Sequence, residues 1–256
     1  MFGLERKLFD QLIRLKENYD LQGIKAEFEA EGSSFRDLVR LRRITDKLDV
    51  SLYLKIGGVE ALRDIKDSLE IGVDGLIAPM VESEFGLKKF IDGVASIYKD
   101  TNIHLSINIE TQQAVANLEE ILELGKGNIN SITVGRTDLS SSYFDPKISP
   151  ESDFIFGLLE DLGGKVPSAG MTMTVGGSLS KKSIERFGRE AKKWTGIIQK
   201  LETRKVILPT KVMLENKNSI AEALRFEELY ILSKREMSDL FMESETARLT
   251  RLKMRS

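Results

Sequence analysis

Apolar residues along this chain follow two alternating periods. Short runs in which apolar and polar residues alternate predict strands, and apolar residues spaced three or four apart predict helices. The predicted strands span residues 23–28, 50–56, 75–80, 104–109 and 129–134. The predicted helices span residues 2–19, 35–48, 59–69, 84–98 and 112–124. Regular alternation of strand and helix favours a parallel sheet, and its persistence along the chain favours closure into a barrel.

The pattern loosens after residue 138. We expect a loop over the site at 139–150, helices at 154–162 and 183–194, and a strand at 169–175. Two apolar runs, 196–198 and 205–208, lie too close together for a crossover helix. The last strand–helix units of the barrel are therefore either abbreviated or not correctly assigned by this pattern. A capping box, Ser219 to Glu222, opens a helix that extends nearly to Arg251 unless it breaks near Ser233 or Ser238.

The fold class that follows is a TIM-type (β/α)8 barrel with irregular last units and a long C-terminal helix. We expect one domain over 1–256, divided into an N-terminal helix (1–20), a barrel (21–210) and a C-terminal helical extension (217–252). The terminal helix is too long to pack wholly on one small domain. We therefore expect it to reach a partner subunit in a homo-oligomer.

Composition narrows the function classes. The 256 residues are 41% hydrophobic, with a formal net charge of −2, so no global charge favours nucleic acid or an anionic membrane. The absence of cysteine excludes disulfides, thiolate nucleophiles and cysteine-ligated metals. No apolar run is long enough for a signal peptide or a membrane span, so we expect a cytoplasmic protein.

Carboxylates stand at the predicted strand ends. Glu110 follows one strand and Asp138 follows the next, so one edge of the sheet should carry both. Such a pair suits a hard cation such as Mg²⁺, although spacing alone also allows the acid and base of a glycosidase. The single histidine, His104, lies inside a strand away from this edge, which favours a structural role over a Ser-His-Asp triad or a histidine-rich metal site.

Two further groups accompany the carboxylate pair. Glu27, Glu29 and Glu31 cluster at the end of the first strand, where they form either a solvated strand end or part of an acidic site. Lys55 ends the second strand, where it could bind an anionic oxygen or extend to solvent.

Two motifs in this region resemble a known family. Asn108-Ile109-Glu110-Thr111, then a helix, then Val134-Gly135-Arg136-Thr137-Asp138-Leu139-Ser140 resemble the paired acidic motifs of the HpcH/HpaI aldolase and citrate lyase beta-subunit family. That family belongs to the phosphoenolpyruvate/pyruvate-binding barrels. The strand end Lys55-Ile56 and the segment from Gly75 to Val81 extend the resemblance, which runs from about residue 23 to 177.

The resemblance implies a site. Glu110 and Asp138 would bind Mg²⁺ or Mn²⁺, which would hold a small 2-oxo acid or an acyl-CoA as its enolate. The candidate catalytic residues are Lys55, Glu29 and Arg136, and the candidate substrate-binding residues are Glu27, Thr111, Thr137, Gly135, Pro79 and Met80.

The sequence departs from the family in three places. Its aldolases carry a histidine where this chain has Glu29-Ala30, so the base is Glu27, Glu29, a metal-bound water or an unidentified group. Lys55 replaces an arginine and loses two-point carboxylate recognition. Arg136 stands where aldolases often carry proline, and it could bind an anion from the opposite loop.

We therefore expect a divalent-metal-dependent carbon–carbon lyase, of the aldolase or citrate lyase type, acting on a 2-oxo acid or acyl-CoA. One alternative is a catalytically altered barrel that serves as a binding or scaffold subunit. Another is a phosphate-handling barrel that uses Gly176-Gly177. By the resemblance, the C-terminal helix would be exchanged between subunits.

Overall fold

A computed structural model of the chain describes residues 3–99 and 101–255. Eight strands form one closed barrel in which each strand neighbours the next along the chain, and β8 closes on β1. The strands are β1 (Gly23–Glu27), β2 (Leu52–Lys55), β3 (Gly75–Ala78), β4 (His104–Ile109), β5 (Ser131–Gly135), β6 (Thr172–Gly176), β7 (Lys200–Glu202) and β8 (Val206–Pro209).

Helices connect the strands and surround the barrel. They are α1 (Gly3–Tyr19), α2 (Phe35–Asp46), α3 (Leu62–Ile71), α4 (Glu84–Tyr98), α5 (Gln112–Ala116), α6 (Leu118–Gly125), α7 (Arg136–Ser141), α8 (Asp153–Ser168), α9 (Lys181–Gly188), α10 (Ala191–Ile197), α11 (Thr210–Glu215) and α12 (Ser219–Lys253). The predicted barrel and its long terminal helix are confirmed. The predicted start of the first helix at residue 2 lies outside the described residues.

The last strand breaks the regular barrel pattern. Strands β1 to β7 run parallel, whereas β8 is antiparallel to both β7 and β1. Only three residues separate β7 from β8, so the chain turns back in a hairpin instead of crossing over through a helix. The tip of this hairpin therefore lies at the end of the barrel where β1 to β7 finish.

The structure corrects several predicted elements. The predicted helix 112–124 is divided into α5 and α6 at Asn117, whose side chain donates to the carbonyl of Glu82 at 2.7 Å. Helix α7, which starts at Arg136 directly after β5, takes up the first three residues of the loop predicted at 139–150. The apolar run 196–198 ends helix α10, and the strand follows it at 200.

The predicted capping box at the start of α12 is wrong. Ser219 Oγ donates to the carbonyls of Met213 and Asn216 instead of accepting from the first turn of the helix. Helix α12 continues to Lys253 without a break at Ser233 or Ser238.

Alternation along the strands separates two environments. The apolar strand residues are buried against the surrounding helices and form the core, as with Ile24, Leu54 and Ile132. The residues between them are polar and buried, including Lys25, Asn108 and Thr133, and they face the inside of the barrel because they line its cavity. The barrel interior is therefore polar, whereas the layer between barrel and helices is apolar.

One aromatic ring fills the end of the barrel that lies opposite the carboxyl ends of the parallel strands. Tyr53 pairs in register with Gly75 and with Lys25, and a Cβ atom on either Gly23 or Gly75 would lie 2.4 Å from its ring. His104 packs edge-on against Tyr53 with ring centroids 5.2 Å apart. Side chains thus close this end and leave the strand tips as the open end.

Candidate active site

A cavity of about 430 Å³ opens at the carboxyl ends of the parallel strands. Its walls come from several different strands and from α12, as expected for a barrel whose ligand-binding end is formed by strand tips. It is lined by Lys25, Glu27, Glu29, Ala30, Lys55, Met80, Asn108, Glu110, Thr133, Gly135, Thr137, Asp138, Gly177, Ser178, Leu179, Glu202, Thr203, Arg204, Leu224 and Glu227.

The two predicted carboxylates both line this cavity. Glu110 directly follows β4 and is 2% exposed, while Asp138 lies in the first turn of α7, just after β5. The expectation that they emerge at one edge of the sheet is confirmed.

Hydrogen bonds hold the Glu110 carboxylate in place. The backbone N–H of Met80 donates to Oε1 at 3.0 Å, and Asn108 Nδ2 donates to Oε2 at 3.1 Å. Burial raises the pKa of Glu110, the charge of Lys55 opposes that shift, and Asp138 adds to it. A positive charge bound beside Glu110 would therefore be strongly favoured.

Two buried lysines stand among the cavity carboxylates. Lys25 Nζ lies 2.5 Å from Glu202 Oε1 and 3.7 Å from Glu27 Oε1, and Lys55 Nζ lies 2.6 Å from Glu29 Oε2. Burial disfavours the ammonium form of each lysine, but the surrounding carboxylates outweigh burial and raise both pKa values. Both side chains are therefore cations that can donate hydrogen bonds, and neither is a neutral amine nucleophile at physiological pH.

Each glutamate of the cluster after β1 forms an ion pair with a lysine. Glu27 lies near Lys25, Glu29 pairs with Lys55, and Glu31 pairs with Lys205. Glu27 and Glu29 line the cavity, whereas Glu31 does not. This cluster is therefore part of an internal network of ion pairs and is not a solvated strand end.

The other predicted binding residues divide into two groups. Gly135, Thr137 and Met80 line the cavity, and Thr137 Oγ1 lies 2.9 Å from Ser178 Oγ. Pro79 is buried, and Thr111 caps α5 by accepting from the N–H of Ala114. Neither Pro79 nor Thr111 is among the lining residues.

Arg136 lies outside the cavity, contrary to the expected contact with a substrate anion. Its guanidinium is fully buried and donates to the carbonyls of Gly176 and Gly177 at 3.1 and 2.9 Å, and to Glu151 Oε1 at 3.0 Å. Glu151 also accepts from Ser183 Oγ at 2.5 Å. Arg136 therefore fastens the start of α7 to the end of β6, and it has no donor directed at the cavity.

The segment that was expected to cover the site does not reach it. Residues 139–150 contribute no lining residue, and their first three residues belong to α7. His104 is equally remote, since its Nε2 lies 2.9 Å from Ser131 Oγ inside the barrel. That contact agrees with a structural role for the histidine.

Several lining residues were not identified from the sequence. They include Lys25, Asn108, Thr133, Glu202, Arg204 and Glu227. Polar residues at alternate positions within otherwise apolar strands were a signal for Lys25, Asn108 and Thr133. Glu202, Arg204 and Glu227 depend on the hairpin and on α12, whose positions the local pattern does not determine.

A divalent cation is compatible with this donor set. Glu110 and Asp138 supply two carboxylates, and the buried Oδ1 atom of Asn108 has no hydrogen-bond partner. Within the described residues, no three Asp, Glu, His or Cys side chains form a closed metal cage. Few protein ligands are typical of Mg²⁺, which keeps several waters and binds through one or two carboxylates.

Across residues 3–99 and 101–255, no helix combines the length and the apolar character that crossing a bilayer requires.

Comparison with known proteins supports the resemblance read from the motifs. Residues 47–150 match the model of the HpcH/HpaI aldolase/citrate lyase family, a segment that includes Lys55, Glu110 and Asp138. The matched segment does not include Glu27 or Glu29. No curated protein matches the sequence.

Solved structures share the fold at low sequence identity. The HpcH/HpaI aldolase from Desulfitobacterium hafniense DCB-2 is 16% identical, with a TM-score of 0.60 over 79% of this chain and 82% of that protein. The citrate synthase SbnG is 15% identical, with a TM-score of 0.59 over 91% of this chain and 90% of that protein. RipC from Yersinia pestis is 16% identical, with a TM-score of 0.54 over 80% of this chain and 87% of that protein.

The solved structures support the barrel fold, and the family model matches the middle of the chain. Because the matched family consists of aldolase- and citrate-lyase-type enzymes, the match supports a lyase-like function. The chain thus has the barrel fold of these proteins, and its resemblance to the HpcH/HpaI aldolase/citrate lyase family is confirmed over residues 47–150.

Proposed function

We propose that the protein is a Mg²⁺- or Mn²⁺-dependent carbon–carbon lyase that cleaves or forms a bond next to a 2-oxo acid or acyl-CoA. The observation that carries this proposal is the position of Glu110 and Asp138 on one cavity wall, with Glu110 held by Met80 and Asn108. Two carboxylates, of which Glu110 is held by hydrogen bonds, together with an unpartnered amide oxygen suit a hard divalent cation.

The cation would be held by Glu110 and Asp138, with Asn108 Oδ1 close by. Bound there, it would supply electrostatic stabilisation for negative charge that develops on a substrate oxygen. Lys55 stands beside Glu110 as an ammonium group fixed by Glu29, so it can donate a hydrogen bond to the same developing charge.

Proton transfer would depend on carboxylates, because the single histidine of the chain, His104, does not line the cavity. In the cleavage direction, a base takes the hydroxyl proton of the substrate, the carbon–carbon bond breaks, and the electron pair remains on the enolate until it is protonated. We propose Glu29 as that base, because it lines the cavity and its carboxylate is held in place by Lys55, whose Nζ lies 2.6 Å from Oε2.

Both lysines argue against a Schiff-base mechanism. An aldolase of that type needs a neutral amine, whereas Lys25 and Lys55 are surrounded by carboxylates that raise their pKa values. This observation favours cation-assisted enolate chemistry over covalent chemistry on an amine.

Exchange of the methyl protons of pyruvate with solvent tests enolate formation without knowledge of the acceptor. In D₂O, we expect the pyruvate methyl signal in the proton NMR spectrum to decay faster with protein and Mg²⁺ than in a protein-free blank. The Glu110→Gln and Asp138→Asn variants should lose this activity. Glu123→Gln, an exposed glutamate on α6, is the matched control and should keep it.

Two results would count against the proposal. Exchange at the blank rate in a folded wild-type protein would favour the alternative of a catalytically altered scaffold barrel. Exchange that is equally fast after removal of metal would contradict the role given to the cation.

A further inference from the structure

The turn between β7 and β8 is held in place at the mouth of the cavity. Its first and last residues, Thr203 and Lys205, are 5% and 1% exposed. The backbone N–H of Thr203 donates to the carbonyl of Val206 at 3.0 Å, and Thr203 Oγ1 accepts from the Val206 N–H at 3.1 Å. The Lys205 ammonium pairs with Glu31 and lies 4.5 Å from the ring centroid of Tyr230.

Arg204 stands between these two buried residues. Unlike them it is exposed, and it is one of the residues that line the cavity. Its backbone is therefore fixed by its neighbours, while its guanidinium is free to meet a ligand. Such an arrangement lowers the entropy cost of binding because only the side chain has to be ordered.

Arg204 also differs from the other cations of the cavity. Lys25 is occupied by Glu202 and Glu27, and Lys55 is occupied by Glu29. With the described residues, the Arg204 guanidinium makes no hydrogen bond or ion pair. Burial raises the pKa of the nearby Glu227, and the charge of Arg204 opposes that shift without a direct contact.

The charge of the whole cavity makes a free cation important. Six carboxylates line it against three basic side chains, so its formal charge is negative. An anionic substrate would be repelled unless a bound cation and an unpaired basic group offset this charge. A guanidinium offers two parallel N–H donors that match the two oxygens of a carboxylate, which a lysine cannot do.

We propose that Arg204 binds the carboxylate of the substrate and thereby selects a small 2-oxo acid over an acyl-CoA thioester. The inference rests on the proposed function, since it takes the same cavity as the substrate site. From the β7–β8 hairpin, Arg204 would supply the two-point carboxylate recognition that lysine at position 55 does not provide.

Calorimetric titration of pyruvate into the Mg²⁺-loaded protein tests this assignment. We expect Arg204→Met to weaken pyruvate binding by about 10- to 100-fold, and Arg204→Lys to weaken it less because the charge remains. The matched control is Arg225→Met, which removes an arginine of α12 that pairs with Glu228 at 2.6 Å and does not line the cavity. Mg²⁺ affinity measured without pyruvate should be the same in all four proteins.

The outcomes separate this inference from the proposed function. Wild-type affinity for pyruvate in Arg204→Met would overturn the role of Arg204. Tighter binding of acetyl-CoA or inorganic phosphate than of pyruvate by the wild type would overturn the substrate class. Binding of Mg²⁺ without any binding of pyruvate would overturn the inference and leave the cation site standing, whereas binding of neither would overturn both.

Discussion

Gly135 lies so close to Glu110 that a Cβ atom at position 135 would be 2.5 Å from Oε2 of the Glu110 carboxylate. Real Cβ atoms do not approach an oxygen this closely, so any larger residue must displace the carboxylate or the strand end. The glycine that ends β5 is therefore part of what positions the carboxylate that follows β4.

Substitution of Gly135 should damage the cation site while the fold survives. We expect Gly135→Ala to weaken Mg²⁺ binding by at least tenfold, because a shift of the carboxylate by a few tenths of an ångström disturbs the strict geometry of Mg²⁺ coordination. Calorimetric titration with Mg²⁺ measures the effect, and circular dichroism checks the fold.

Gly157 provides the control for the alanine methyl group itself. It lies within helix α8, and a Cβ atom there would meet nothing within 4 Å. Gly157→Ala should raise the free energy of unfolding by about 0.5 to 1 kcal/mol and leave Mg²⁺ binding unchanged. Equal Mg²⁺ affinities in Gly135→Ala and Gly157→Ala would show that the close approach to Glu110 has no functional consequence.

Because of its single histidine, the protein should lose stability as the pH becomes mildly acidic. Burial lowers the pKa of His104 to about 4, and the charge of Lys200 acts in the same direction. In the unfolded chain the histidine titrates near its ordinary pKa of 6.5, so the unfolded state binds the proton first as the pH falls. Stability from this group is complete above pH 6.5 and declines down to about pH 4.

The expected loss can be measured directly. From these two pKa values, the free energy of unfolding should fall by about 2 kcal/mol between about pH 7 and pH 5. His104→Gln removes the titrating group and should flatten the curve over that interval. A wild-type curve no steeper than that of His104→Gln would mean that the folded histidine titrates normally.

We propose that the distal half of α12 contacts a second copy of the chain. Every described residue from 238 to 255 is exposed, and this length includes large apolar side chains such as Phe241, Leu249 and Leu252. Replacing Phe241 and Leu249 together with glutamate should lower the mass measured by light scattering. A wild-type protein that is monomeric at micromolar concentration would contradict this prediction.

Much of the barrel follows from local pattern. Strand β4 and helix α4 begin and end where alternation and helical spacing predict. Glu110 and Asp138 could be placed on one edge from the sequence because each directly follows a strand, and parallel strands end on the same side. Their position depends on rules that act within one strand–helix–strand unit.

Features that depend on distant segments could not be predicted in this way. Lys25 meets Glu202 only because the barrel closes, and Arg204 reaches the mouth only because β8 turns back as a hairpin. Arg136 was assigned to the site because of its motif, but carbonyls at 176 and 177 hold its guanidinium elsewhere. The local sequence around Lys25, Arg204 and Arg136 predicts neither the closure of the barrel nor the contact with those carbonyls.

Binding of Mn²⁺ to metal-stripped protein, followed by electron paramagnetic resonance, tests the central proposal most directly. Free Mn²⁺ gives a sharp signal that diminishes on binding, so no substrate is needed. We expect one Mn²⁺ per chain in the wild type, tighter binding when pyruvate is present, and loss of binding in Glu110→Gln and in Asp138→Asn. No binding by the folded wild type, or undiminished binding by both variants, would contradict the assignment of Glu110 and Asp138 as the cation site.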